Sequence, residues 1–100
     1  MKGKIIMDFG NAINELKAGK KVQREGWNGK GMFLILVGGT ENAQLKESTP
    51  YHSALNNEST GQPTVTINPH IDMFTATGEM QPGWLASQTD MLADDWQEVA

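Results

Sequence analysis

No cysteine occurs in the chain. No disulfide can therefore staple the fold, and no thiolate is available to bind a metal or attack a substrate. This usage leans towards a reducing, intracellular compartment. Long apolar runs are missing as well. MFLILV at residues 32–37 is far short of the roughly 20 residues of a membrane span. The N-terminal MKGKIIMDFG carries only the short apolar stretch IIM, too little for a signal peptide. The expectation is a cytoplasmic protein with no membrane partner. Positive charge is scarce: 8 Lys and Arg against 12 Asp and Glu leave a net charge of -4. A protein that tracks a nucleic-acid polymer shows a basic face, so that class is excluded. A small anionic ligand held by backbone dipoles and a few local charges is not.

The 100 residues read as one domain, 1–100, with a polar insertion at about 40–63. A chain this short buries only about 60–65% of the surface its unfolded form exposes, so oligomerisation is one source of extra burial. The periodicity predicts a short amphipathic helix over residues 7–18, capped by Asp8 and ended by Gly19, with Phe9, Ala12, Ile13 and Leu16 on one face. Residues 21–24 read as a strand with Val22 inward, and residues 32–37 as a buried central strand. Between them lies a loop with Trp27 and two glycines. Residues 38–63 are polar and rich in Gly, Asn, Ser and Thr, with one helical turn expected after Pro50. Residues 64–67 and 71–75 read as one strand interrupted at Asn68-Pro69, and Thr77-Gly78 as the turn of a hairpin. Ser87 starts a short helix with Asp90 in a capping-box position, Met91 and Leu92 facing inward, and residues 96–99 form a terminal strand. The fold class is α+β: a small, mostly antiparallel sheet packed on one N-terminal helix, with a second short helix near the C-terminus.

Catalytic constellations are sparse. No serine lies in a G-x-S-x-G elbow, although a Ser/Thr–His–Asp set assembles in space and not in sequence. His70 and Asp72 share one face of a strand and with His52 make at most three ligands, without HExxH or EF-hand spacing. They read as a polar contact rather than a metal site. Asp90 reads as a helix cap, and Asp94 and Asp95 as a helix end in solvent. Gly29-Lys30-Gly31 is no phosphate loop, but the helix starts at Phe9–Asn11 and Ser87–Thr89 offer free backbone N–H groups to an anion.

Aromatics are few, 3 Trp, 3 Phe and 1 Tyr, and their placement is informative. Trp96 has alternating apolar neighbours and belongs to the core. Trp27 and Trp84 each follow a glycine on a loop. Two readings stand for them: a plane on which a base stacks, or a ring closing one end of the core.

Four motifs in order carry a resemblance over nearly the whole chain outside 40–63: DFGNA at residues 8–12, REGWNGKGM at 24–32, PHIDM at 69–73 and PGWLASQTDMLADDW at 82–96. Together they resemble the second Thoeris anti-defence family of phage sponge proteins. The resemblance implies a non-enzymatic protein without cofactor. It would bind and sequester glycosyl-cyclic ADP-ribose made by TIR-domain defence proteins, and cyclic dinucleotides of CBASS defence. It also implies a homotetramer with pockets at subunit interfaces, acting in the host cytoplasm. On this reading Phe9, Trp27 and Trp84 wall in the adenine. Asn28, Thr89 and Asp90 bond base edges or ribose hydroxyls, while backbone near Asn11 and at Ser87, Gln88 and Thr89, with Arg24 or Lys30, meets the pyrophosphate. The insertion departs from shorter members. Two other classes stand beside this one: a phosphodiesterase-like hydrolase using His70 with Asp72 or Asp90, and an inhibitor that binds a host defence protein by surface contact.

Overall fold

The computed structural model describes residues 5–27, 30–55 and 64–100. The chain divides into two compact units, Met1–Val37 with His70–Ala100, and Gly38–Pro69.

The first unit is α+β. Strands β1 (Ile6–Met7), β2 (Lys21–Arg24) and β3 (Phe33–Val37) precede the second unit in the chain. Strands β6 (His70–Phe74), β7 (Met80–Gln81) and β8 (Trp96–Val99) follow it. They form one sheet in the order β1-β8-β2-β3-β6-β7, and every pairing is antiparallel. The expected strand at residues 32–37 is central, and Thr77-Gly78 does turn β6 back into β7. Helix α1 (Phe9–Lys17) lies against β2, β3 and β8. Asp8 caps it as expected, its carboxylate accepting from the Asn11 N–H at 2.8 Å. Ala12 and Leu16 on its inner face meet Val22, Leu34 and Trp96, all at most 1% exposed. Around this centre pack Phe9, Ile13, Trp27 and Trp84, each half-buried. Residues of opposite parity, among them Gln23 and Gln97, stand on the other face of the sheet because side chains alternate along a strand.

Helix α3 (Gln88–Leu92) begins at Ser87 with the expected capping box. Its inward side differs from expectation. Met91 is 43% and Leu92 77% exposed, so neither packs inward. The five-residue helix turns Asp90 towards the core instead, and residues 100° and 200° further round must then face away.

The second unit holds β4 (Thr40–Gln44), helix α2 (Pro50–Leu55) and β5 (Thr64–Ile67). β4 pairs with β5 in a sheet of their own, with a register irregularity between Thr40 and Ala43. The helical turn expected after Pro50 is present as α2, the third helix among the described residues, whereas residues 64–67 and 71–75 are not one interrupted strand. Pro69 has no N–H to donate and restricts Asn68 before it, so the ladder stops there and the two strands find different partners. Among the described residues no helix is long and apolar enough to cross a membrane.

Candidate functional site

Four rings come together from two loops (Trp27 and Trp84), the start of α1 (Phe9) and the start of β8 (Trp96). Trp96, the first residue of β8, is fully buried and forms the base. Phe9 lies 5.4 Å, Trp27 5.3 Å and Trp84 6.1 Å from it, ring centre to ring centre. Trp84 in turn stands 6.4 Å from both Phe9 and Trp27. Tilted and edge-on arrangements of this kind are the favourable ones for aromatic pairs. Trp27 and Trp84 thus close one end of the core, the second of the two readings. Each ring packs on the core on one side and keeps part of its surface open.

Carboxylates fix these rings from behind. Asp90 Oδ1 accepts from Arg24 Nη1 at 2.9 Å and from Trp27 Nε1 at 3.3 Å. The Asp90 carbonyl accepts from Trp96 Nε1 at 2.9 Å, while the other carboxylate oxygen takes the Ser87 N–H. One residue thus holds two indoles, a guanidinium and a helix start. Burial opposes its ionisation, but the bonds from Arg24, Ser87 and Trp27 outweigh that and hold its carboxyl below the usual aspartate range.

Asp95 was expected in solvent and is not. It grips Arg24 through Nε at 2.8 Å and accepts the Gly26 N–H at 2.8 Å. The Asp95 carbonyl takes the Glu25 N–H. The Arg24 bonds come first in lowering its pKa, and the Arg24 guanidinium is itself held above its ordinary value by Asp95 and Asp90. A side chain at position 26 would meet Asp95 Oδ2 at 2.8 Å, so this clasp needs glycine there.

Asp72 performs a third task. It is 6% exposed, and its Oδ1 accepts the Gly83 N–H at 2.9 Å and lies 2.6 Å from His70 Nδ1. The next N–H, that of Trp84, donates to the Ile71 carbonyl at 2.7 Å. Burial pushes against the Asp72 charge, but the Gly83 and His70 bonds prevail and depress its pKa. The His70–Asp72 pair thus braces the corner that delivers Trp84. Among the described residues no group of three His, Asp or Glu gathers to hold a metal.

The remaining expected site residues are scattered or committed. Arg24 is tied to two carboxylates. The N-terminus of α1 already faces the Asp8 carboxylate and that of α3 the Asp90 carboxylate, so both are less open to an anion than free N–H groups imply. Asn11, Ser87, Gln88 and Thr89 are exposed. Asn28 lies outside the described residues. Lys30 is exposed and makes no ion pair with a described residue. With Gln23, Arg24, Glu25, Trp27, Gly31 and Gln97 it lines an open cleft of about 230 Å³. The two glutamines were missed. They belong to strands read only for their inward residues, and nothing in their spacing marks them.

A family model described as Tad2-like, the Thoeris anti-defense 2-like domain, matches residues 7–99. A curated protein named Thoeris anti-defense 2, from Bacillus phage SP01, is 37% identical over 100 residues, covering 97% of this chain and 99% of that protein.

Proposed function

The chain belongs to the Thoeris anti-defense 2-like family, a phage anti-defence family, and on that premise we propose that it is a non-catalytic sponge for cyclic nucleotide immune signals. The ligand of choice is glycosyl-cyclic ADP-ribose from Thoeris TIR proteins, with CBASS cyclic dinucleotides as a second class. The protein binds them intact in the host cytoplasm and lowers their free concentration, so the downstream effector stays inactive.

One observation carries this reading: the half-exposed rings of Phe9, Trp27 and Trp84 share a buried base on Trp96, and Trp27 is also among the residues that line an open cleft with Lys30. An adenine finds stacking surface there, at roughly 1–3 kcal/mol per base. The anionic part of the ligand meets Lys30, because Arg24 is already neutralised by Asp90 and Asp95. Sequestration asks only for affinity, and rings held rigid before binding lose little entropy on it. Arg24, Asp90 and Asp95 serve as the brace of this wall and not as its contacts. Assembly into a homotetramer, with pockets completed at subunit interfaces, enlarges the buried surface of a small protein.

Isothermal titration with glycosyl-cyclic ADP-ribose tests the proposal. Saturable heat, followed by recovery of unchanged ligand from the denatured complex by mass spectrometry, is the expected result. Absence of binding sinks it, and recovery of hydrolysis products replaces it with an enzyme. Native mass spectrometry of the purified chain tests the tetramer.

A further inference from the structure

We propose that Gln97 and Gln23 form the floor of a base-reading subsite in the cleft beside Trp27. The proposal deepens the nucleotide reading above and rests on it. Gln97 is 5% exposed, yet its side-chain amide has no hydrogen-bond partner among the described residues. No buried side-chain nitrogen or oxygen of the described structure is left sealed without a partner, so this amide keeps its access through the cleft it lines. A glutamine amide can donate twice and accept twice. Because the amide is open to the cleft, water can fill these bonds in the empty protein and a ligand group can take the water's place. An amide in this state is what a ligand group would satisfy.

Its neighbours define the ligand. Gln23 and Gln97 are direct partners across β2 and β8, so their side chains rise from the same face about 5 Å apart. Trp27 and Lys30 line the same cleft. Two amides beside an indole match a planar ring whose edge carries a donor next to an acceptor. This is the pattern by which glutamine reads a purine with two bonds. The cleft, at about 230 Å³, is smaller than the roughly 300–1,000 Å³ of pockets that enclose a whole small molecule. It takes one ring of a larger ligand, with an attached phosphate reaching back to Lys30.

The stability consequence separates this role from a packing role. An amide open to the cleft and without a bond to a described residue contributes little to the empty fold, so Gln97→Leu is expected to leave the melting temperature unchanged or raise it. The same substitution is expected to weaken nucleotide binding about tenfold. The probes are adenosine 5′-monophosphate and ribose 5-phosphate, titrated at millimolar concentration into nitrogen-15-labelled full-length protein. The adenosine nucleotide should move the side-chain amide signals of Gln97 and Gln23 and the indole signal of Trp27, and ribose 5-phosphate should leave the amides in place. Equal movement with ribose 5-phosphate overturns base reading. Movement confined to Trp84 and residues 87–90, or unaltered affinity in Gln97→Leu, overturns the subsite while nucleotide binding stands. No response to the adenosine nucleotide overturns the subsite too, and calorimetry with glycosyl-cyclic ADP-ribose then shows whether the sponge reading falls with it.

Discussion

Asp90 shows how much one side chain can decide. Its position three residues after Ser87 marks it as a cap, and it is one. The same carboxylate also holds Arg24 and Trp27, from residues far away in the chain. The pKa values of Asp72, Asp90 and Asp95 are all depressed in the folded protein. The unfolded state therefore binds more protons in acid, and stability falls as pH drops. Urea denaturation should give a constant stability from neutrality down to the ordinary aspartate value of 3.8 and a progressive loss below it. Asp90→Asn should shrink that acid-dependent loss, and an unchanged acid limb would show that the pair with Arg24 is not a stabilising one. Trp84 gives the second residue-scale prediction. Trp84→Ala is expected to weaken cyclic-nucleotide binding by ~1–3 kcal/mol per folded molecule. A sharp fall in melting temperature with unchanged affinity would mark the ring as core alone.

Local chemistry marks most elements in the sequence. Asp8, Ser87 and Asp90 signal the starts of α1 and α3, and Thr77-Gly78 signals the turn before β7. β4 escaped notice because TENAQ has no apolar alternation, and four of its five residues are exposed. It exists through pairing with β5, which no local pattern announces. The corner at Pro82-Gly83 is legible as a break, but what braces it is not. Gly83 has φ +75, a conformation that costs a side-chain-bearing residue about 1–2 kcal/mol. Gly83→Ala should lower stability by that amount in chemical denaturation. It should also shift the tryptophan emission, because the Asp72 bond and the aim of Trp84 depend on this turn. Unchanged emission with lowered stability would mean that the corner does not set the ring.

The whole molecule reads as a hairpin with an insertion. Val37 and His70 are paired neighbours at the ends of β3 and β6, and residues 38–69 fill the connection between them. A paired end of this kind can be closed by a two-residue Asn-Gly turn. Replacing residues 38–69 with Asn-Gly should leave a cooperative thermal transition and the buried environment of Trp96. A chain that fails to fold would show that the first unit depends on the second.

The sequence by itself determined the α+β class, the capping residues at the starts of α1 and α3, the central place of residues 32–37 and the loop positions of Trp27 and Trp84. Its motifs also pointed to the family. Each of these rests on neighbours in the chain or on an order of short motifs. Tertiary structure alone decided that Asp95 clasps Arg24, that Leu92 faces outward and that β5 belongs with β4. It alone put the largely buried Gln97 next to Gln23 in the lining of one cleft with Trp27. Pairing and burial are properties of what stands opposite a residue, and that is fixed only when distant segments meet.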